Sequence, residues 1–132
     1  MRPHRHTVLI IDDDPDILDA FTLSLTLADV IAHAVSSGRE ALSLLERGLR
    51  PCALLLDIRM PGMDGWQVWG ELHTSTADVA TIPVIFVSAD TPEPARAEAA
   101  GIAAWLQKPV GVRELAGALA HVCQQRLGYP VA

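Results

Sequence analysis

Four short apolar segments of this chain each end at a residue with a reactive or charged side chain. The segments are Val8–Ile11, Ala53–Leu56, Val84–Val87 and Ala104–Gln107, and they lead into Asp12-Asp13-Asp14, Asp57, Ser88 and Lys108-Pro109. Continuously apolar strands separated by helices are typical of a parallel sheet that is covered on both faces. Because the carboxyl ends of parallel strands meet at one edge, where α/β proteins bind ligands, we expect these polar residues to lie close together.

The periodicity of apolar residues predicts alternating strands and helices along the chain. The predicted strands are Thr7–Ile11, Val30–Val35, Ala53–Leu56, Pro83–Val87 and Ala103–Gln107, and the predicted helices are Pro15–Leu27, Arg39–Arg47, Trp66–His73, Pro94–Ala100 and Val112–Leu127. Pro15 suits the first turn of a helix, where its missing N–H costs nothing. We therefore expect one α/β domain over residues 7–127, with short tails over 1–6 and 128–132.

Composition and charge exclude several classes of protein. The 132 residues carry a net charge of −6 and no cluster of Lys and Arg, which argues against a nucleic-acid surface. No apolar stretch approaches the roughly 18 residues that cross a bilayer, and the basic start of the chain does not resemble a signal peptide. We expect a cytoplasmic protein without membrane contact, in which Cys52 and Cys123 are buried, reduced thiols.

The acidic residues that follow the first and third strands suit a hard divalent cation. Asp12, Asp13 and Asp57 offer carboxylate oxygens, which Mg²⁺ prefers, and Mn²⁺ shares that preference. A carboxylate beside such a cation is also a nucleophile toward phosphorus. Since phosphoryl transfer depends on neutralising the phosphoryl oxygens, Lys108 and Ser88 would complete the residues of a phosphoryl acceptor.

These motifs, in this order, resemble the receiver domain of two-component response regulators. The matching segments are Asp12-Asp13, Leu54–Asp57 with Met60–Gly65, Ser88-Ala89 and Lys108-Pro109, and the resemblance extends from about residue 7 to residue 127. It implies a flavodoxin-like, doubly wound sheet of five parallel strands in the order 2-1-3-4-5, with helices on both faces. It also implies a signalling domain whose only chemistry is its own Mg²⁺-dependent phosphorylation and dephosphorylation.

The resemblance implies a role for each residue of the predicted site. Asp57 would be the phosphoacceptor. The Mg²⁺ ligands would be Asp57, Asp13 and the backbone carbonyl of Arg59, and Asp12 would act largely through water. Lys108 would contact the phosphoryl group, and its peptide bond to Pro109 is expected to be cis.

Two further positions correspond to the conformational switch of the family. Ser88 stands at its Ser/Thr position and Trp105 at its aromatic position. The resemblance implies that phosphorylation draws Ser88 toward the phosphoryl group and lets Trp105 turn inward. The surface formed by residues 94–100, 103–107 and 112–127 would then be repacked, and it is also the expected face for a homodimer.

Arg59 and Asp90 suggest a control of phosphoryl lifetime. Each lies two residues beyond a predicted site residue, Asp57 and Ser88 respectively, and the two carry opposite charges. We expect them to pair across the mouth of the site and to slow the attack of water on the acyl phosphate. The simpler alternative is two separate solvated side chains, because exposed pairs contribute little.

Other interpretations remain open from the sequence. The acidic run at 12–14 could cap the following helix, which is the role expected for Asp14 and Asp16. A haloacid-dehalogenase-like phosphatase also uses an Asp after its first strand, although it leaves Asp57 unexplained. A receiver-fold binding module without phosphorylation is a third alternative.

The expected partners follow from the resemblance. The phosphoryl donor would be a sensor histidine kinase or a histidine phosphotransfer protein, and an unidentified protein would receive the signal. The chain would be either a stand-alone regulator or a receiver cut from a longer polypeptide.

Overall fold

The computed structural model describes residues 6–127, with side chains described as far as residue 123. Its strands are β1 (Thr7–Ile11), β2 (Ile31–Val35), β3 (Ala53–Asp57), β4 (Val84–Ser88) and β5 (Ala104–Gln107). Its helices are α1 (Pro15–Leu27), α2 (Gly38–Glu46), α3 (Gly65–His73), α4 (Ala77–Ala80), α5 (Pro94–Ala100) and α6 (Val112–Leu127). All pairings are parallel and the order is β2-β1-β3-β4-β5, so the predicted sheet topology is confirmed.

The sheet separates two apolar cores because alternate residues of each strand face opposite sides. In β1, Val8 and Ile10 belong to the core under α1 and α6, where Leu119 is buried. Leu9 and Ile11 belong to the core under α2 and α3, where Val68 is buried. Burial on both faces explains why these strands read as continuous apolar runs.

Side-chain caps fix where the helices begin. The carboxylate of Asp14 accepts a hydrogen bond from the amide of Asp16 at 2.9 Å, with Pro15 in the first turn of α1. Asp64 and Gln67 form a reciprocal capping box at the start of α3, with hydrogen bonds of 2.8 and 2.9 Å. Asp14 therefore has the predicted capping role, and α3 begins immediately after the loop that follows β3.

Two sequence expectations need correction. The four-residue helix α4 was not predicted, because one helical turn shows no apolar periodicity. His6, which we expected in the N-terminal tail, is 3% exposed, and its carbonyl accepts a hydrogen bond from the amide of Ile31 at 2.8 Å. The backbone pairing of β1 with β2 thus includes His6 in the domain. Residues 1–5 and 128–132 of the predicted tails lie outside the described residues.

The segment between β4 and β5 contains one short helix. As expected, α5 begins at Pro94 and has only seven residues, none of them buried. It ends at Gly101, whose φ of 74° is left-handed and suits glycine. Among residues 6–127, no helix has the length and apolarity required for crossing a membrane.

Candidate functional site

The carboxyl edge of the sheet brings together the three predicted acidic residues. Asp57 is the last residue of β3, and Asp12 directly follows the neighbouring strand β1. Asp12, Asp13 and Asp57 each offer a carboxylate oxygen, and these oxygens lie within 4.8 Å of one another. Asp12 and Asp57 are buried whereas Asp13 is exposed. Two carboxylates of the cluster are therefore buried, and the carboxylate of Asp13 lies on its solvent side.

Lys108 supplies the positive charge of the cluster. Its Nζ lies 2.8 Å from Oδ2 of Asp12 and 3.7 Å from Oδ1 of Asp57. The amide of Lys108 donates to the carbonyl of Ser88 at 2.8 Å, and the bond to Pro109 is cis, as the resemblance implies. The hydrogen bond to the end of β4 holds Lys108, which directly follows β5, with its ammonium group beside both buried carboxylates.

Both oxygens of Asp12 have partners. Oδ2 pairs with Lys108, and Oδ1 accepts a hydrogen bond from the amide of Asp14 at 2.9 Å. Since Asp14 itself is the N-cap of α1, Asp12 does not cap that helix. The structure thus assigns capping to Asp14 and directs Asp12 into the cluster.

Burial and neighbouring negative charge change the ionisation of Asp57. Its pKa is raised from 3.8 to about 6, first by burial, then by the negative charge of Asp12 and, to a smaller extent, by that of Asp13. Lys108 and the backbone N–H of Arg59 act in the opposite direction without cancelling these effects. Burial lowers the pKa of Lys108, but the neighbouring carboxylates of Asp12 and Asp57 together raise it above 10.5. The site thus favours additional positive charge beside Asp57.

The donor set fits a magnesium ion. Its three acidic side chains offer only oxygen, and carboxylate oxygens at a partly open site suit a cation that retains several waters. Burial of Asp57 and the negative charge of Asp12 raise its pKa more than the single ammonium group of Lys108 lowers it, so an added cation is favourable. Asp12, Asp13 and Asp57 would hold the ion.

Ser88 is fixed at the end of β4, the strand that neighbours β3. It is 1% exposed, and its Oγ accepts a hydrogen bond from the amide of Asp90 at 3.1 Å. Val87, the preceding residue, is paired in register with Asp57. The hydroxyl therefore belongs to the same edge as the acidic cluster.

Arg59 and Asp90 form an ion pair, as we expected from the sequence. Nε of Arg59 lies 2.5 Å from Oδ2 of Asp90, with 78% and 42% of the two side chains exposed. The pair joins the loop after β3 to the loop after β4. Its effect on phosphoryl lifetime stays a prediction.

Trp105 packs into an aromatic cluster beside the site. Its ring lies 5.5 Å from that of Phe86 and 6.3 Å from that of Trp66, which contacts Phe86 at 4.7 Å. Nε1 of Trp105 is buried and has no hydrogen-bond partner among the described residues. Trp66 and Trp69 pack against the core. The guanidinium of Arg96 over the ring of Trp66, at 3.9 Å, was not predicted.

Gly65 is a positioning residue that the sequence analysis missed. Its amide donates to the carbonyl of Ile58 at 2.8 Å. A Cβ at this position would lie 2.6 Å from the carbonyl oxygen of Asp57 and 2.7 Å from Cα of Ile58. The close approach lets α3 begin directly against the end of β3. The Asp64-Gly65 pair at the end of the Met60–Gly65 segment is the sequence signal that indicates it.

Comparison with known proteins agrees with this geometry. The family model of the response regulator receiver domain matches residues 8–120. The chain therefore belongs to the response regulator receiver domain family, whose members act in two-component signalling. The presence of Asp57 in the cluster also accounts for the residue that the phosphatase alternative leaves unexplained.

Curated relatives differ in how much of their length is matched. An uncharacterized 14.6 kDa protein of Leptolyngbya boryana is 36% identical over 118 residues, which cover 88% of each chain. The positive alginate biosynthesis regulatory protein of Pseudomonas aeruginosa is 38% identical over 115 residues, which cover 85% of this chain and 45% of that protein. The response regulator GacA of Pseudomonas protegens is 34% identical, with 85% and 53% covered. The chain thus spans about half the length of these last two relatives.

Solved structures share the fold. A putative response regulator from Chloroflexus aurantiacus is 29% identical with a TM-score of 0.81, covering 91% of this chain and 98% of that one. The chemotaxis protein CheY4 of Vibrio cholerae has a TM-score of 0.82 at 24% identity, covering 90% and 99%. At that identity the second likeness supports the fold alone.

Proposed function

We propose that this chain is a phosphorylation-activated signalling switch whose phosphoacceptor is Asp57. The observation that carries the proposal is the position of Asp57, which is buried within 3.7 Å of the Lys108 ammonium and within 4.8 Å of the Asp12 and Asp13 oxygens. Membership of the receiver domain family supports the same assignment. A binding module that is not phosphorylated would need neither the intact acidic cluster nor Lys108.

The residues of the acidic cluster, Lys108 and Ser88 have distinct roles in phosphoryl transfer. A carboxylate oxygen of Asp57 forms a bond to phosphorus while the bond to the donor's histidine nitrogen breaks, and that nitrogen retains the electron pair. Lys108 neutralises the phosphoryl oxygens, and the hydroxyl of Ser88 donates a hydrogen bond to one of them. Mg²⁺, held by Asp12, Asp13, Asp57 and the carbonyl of Arg59, would supply further neutralising charge when bound. Mn²⁺ is expected to substitute for it.

The proposed switch follows from this change in charge. A phosphoryl group adds negative charge and acceptor oxygens next to Ser88. As the Ser88 hydroxyl turns toward them, it gives up the hydrogen bond from the Asp90 amide and shifts the loop that leads to α5. Trp105, which contacts β4 through Phe86, then repacks the face formed by α5, β5 and α6.

The proposed partners are those of a receiver domain. A sensor histidine kinase or a histidine phosphotransfer protein donates the phosphoryl group, and a downstream protein binds the repacked face. A homodimer through α5, β5 and α6 is a second use of that face. Residues 7–127 form the proposed receiver domain. The chain, with a net charge of −6, has no direct role in nucleic-acid binding.

Incubation with acetyl phosphate and Mg²⁺, followed by measurement of the intact mass, tests the proposal. We expect one added phosphoryl group in the parent protein and none in Asp57→Asn. Asp13→Asn, which retains the acceptor, should be phosphorylated more slowly. Failure of the folded parent to gain mass with acetyl phosphate or with a phosphorylated histidine phosphotransfer protein would contradict the proposal.

Removal of the Arg59–Asp90 pair is expected to shorten the lifetime of the phosphorylated protein. In Arg59→Ala, water reaches the acyl phosphate more easily, and we expect dephosphorylation to be about three- to tenfold faster, a barrier change of about 1 kcal/mol. The decay of the phosphorylated mass after removal of the donor measures it.

Two further variants make that measurement specific. Asp90→Asn should accelerate decay to a similar degree, because it breaks the same pair. Asp78→Asn breaks the comparable exposed pair of Arg50 and Asp78, which are 2.7 Å apart on a surface away from the site, and should leave the lifetime unchanged. Equal lifetimes for the parent and Arg59→Ala would show that the pair has no such role.

Phosphorylation is expected to shift the fluorescence emission of Trp105 to shorter wavelength. The ring of Trp105 is half-buried in the unphosphorylated protein, and turning it inward removes it further from water. Emission spectra of Trp69→Phe and Trp105→Phe, recorded before and after acetyl phosphate, separate the contributions. The shift should persist in Trp69→Phe and disappear in Trp105→Phe. An unchanged spectrum in fully phosphorylated parent protein would contradict the proposed movement.

A further inference from the structure

A second cluster of metal-ligating side chains lies at the opposite edge of the sheet. His6 directly precedes β1, Cys52 directly precedes β3, and Cys123 lies on α6. Nδ1 of His6 is 3.5 Å from Sγ of Cys52, which is 3.1 Å from Sγ of Cys123. One ligand atom from each of the three residues lies within 4.8 Å of the other two. The proposed phosphorylation chemistry uses none of these residues.

The cluster is buried and held by backbone pairing. His6, Cys52 and Cys123 are 3%, 4% and 0% exposed. The carbonyl of His6 accepts a hydrogen bond from Ile31, and the amide of Cys52 donates to the carbonyl of Thr7, both at 2.8 Å. Strand pairing therefore fixes two of the three ligands, so little conformational entropy is lost when an ion binds.

Spacing and charge select the kind of ion. A tetrahedral zinc ion with Zn–S bonds of about 2.3 Å and Zn–N bonds of about 2.0–2.1 Å separates two sulfurs by about 3.8 Å and a sulfur from a nitrogen by about 3.6 Å. The Cys52–His6 separation of 3.5 Å already fits, and the two sulfurs at 3.1 Å need to open slightly. Two thiolates and one divalent cation are neutral together, which favours their burial.

We propose that His6, Cys52 and Cys123 bind a thiophilic divalent cation, with Zn²⁺ as the biological ion. The ion replaces the two thiol protons, one donated by Cys123 to Cys52 and the other by Cys52 to the Thr7 carbonyl at 3.1 Å, and both protons leave to solvent. The imidazole of His6 binds in its neutral form.

The site is independent of the acidic cluster. The two lie at opposite ends of β1 and β3, and five residues at about 3.3 Å each separate them by roughly 16 Å. The ligands are also of different chemical types, because sulfur and imidazole select Zn²⁺ whereas carboxylates select Mg²⁺. Zinc binding therefore joins the starts of β1 and β3 to α6 and stabilises the domain whether or not Asp57 is phosphorylated.

Titration of the reduced, metal-free protein with Co²⁺ in saturating Mg²⁺ tests the proposal. We expect one equivalent to bind with the sulfur-to-metal charge-transfer absorption of thiolate ligands, and Zn²⁺ to displace it. Zn²⁺ should also raise the melting temperature of the parent protein by mass action. Affinity for Zn²⁺, measured by competition with a chromophoric chelator, should fall by about 100-fold or more in Cys52→Ala and Cys123→Ala, and less in His6→Gln.

Matched variants exclude other binding sites. His121→Gln alters an exposed residue of α6 close in sequence to Cys123, and Asp57→Asn alters the acidic cluster, so both should retain the parent affinity. Circular dichroism of each metal-free variant checks that it is folded. If the folded parent gives no thiolate absorption, or if folded Cys123→Ala binds Zn²⁺ as tightly as the parent, the site does not exist. The same conclusion follows if the two cysteines form only a disulfide and the reduced protein has no affinity for Zn²⁺.

Discussion

Gly65→Ala is expected to lower the free energy of unfolding by about 3 kcal/mol, at the upper end of the range for overpacked sites. The added Cβ would lie 2.6 Å from the carbonyl oxygen of Asp57 and 2.7 Å from Cα of Ile58. Both neighbours are backbone atoms at the buried end of β3, so no side chain can rotate away to make room. Urea denaturation followed by circular dichroism measures the change.

The same substitution should also disturb the site. Relief of the contact requires α3 to move away from β3, which stretches the 2.8 Å hydrogen bond from Gly65 to Ile58 and displaces Asp57. We therefore expect slower phosphorylation by acetyl phosphate even at temperatures where the variant is folded.

Gly70→Ala is the matched control, because Gly70 lies in the same helix. A Cβ at Gly70 would meet nothing within 4 Å, and alanine favours a helix by up to about 1 kcal/mol relative to glycine. This variant should be as stable as the parent or slightly more stable. Equal stabilities of Gly65→Ala and Gly70→Ala would show that the close approach at β3 is not a constraint.

Asp57→Asn is expected to stabilise the metal-free protein by about 2–3 kcal/mol at neutral pH. The pKa of Asp57 is raised from 3.8 to about 6 by burial and by Asp12, so its charged form is unfavourable in the folded state. Asparagine has nearly the same shape without the charge. Thermal and urea unfolding in the presence of a chelator measure the difference.

The effect of pH has a definite sign. Because the folded state binds the Asp57 proton more tightly than the unfolded state does, the stability of the parent falls as the pH rises from about 4 to above 6. Asparagine does not titrate, so the advantage of Asp57→Asn should shrink as the pH is lowered toward 4. An advantage that is the same at pH 4 and pH 7 would contradict this origin.

Asp13 provides the comparison within the same cluster. It is exposed, so Asp13→Asn should stabilise the metal-free protein less than Asp57→Asn does. Mg²⁺ should raise the melting temperature of the parent by mass action and should have a smaller effect on either variant. If both variants instead lost stability without metal, mutual repulsion of the carboxylates would be the wrong description.

Much of the fold follows from local patterns in the sequence. The apolar runs of β1, β3 and β4 predicted a sheet buried on both faces, and Pro15 predicted the start of α1 where it lies. The short helix α4 and the aromatic stacking of Arg96 on Trp66 were not predictable in this way. A single helical turn shows no apolar periodicity, and the stacking depends on a contact between segments distant in sequence.

The candidate site was predictable for a different reason. Parallel strands bring their carboxyl ends to one edge, so Asp12, Asp57 and Ser88 were expected along it. The strand order 2-1-3-4-5 that the family resemblance implies makes β1, β3 and β4 neighbours, as the structure shows. The close approach of Gly65 required coordinates, because it depends on the distance between α3 and β3. The same holds for His6, whose burial beside Cys52 depends on how the backbone before β1 pairs with β2.

Locating the phosphoryl group tests the central claim most directly. Acyl phosphates are reduced by borohydride, which converts the modified aspartate to homoserine, so peptide mass spectrometry after phosphorylation and reduction identifies the acceptor. We expect homoserine at residue 57 alone, and only when Mg²⁺ and the phosphoryl donor are both present. Homoserine at residue 12 or 13 in place of residue 57, or unmodified aspartate at all three positions in the phosphorylated protein, would contradict the account.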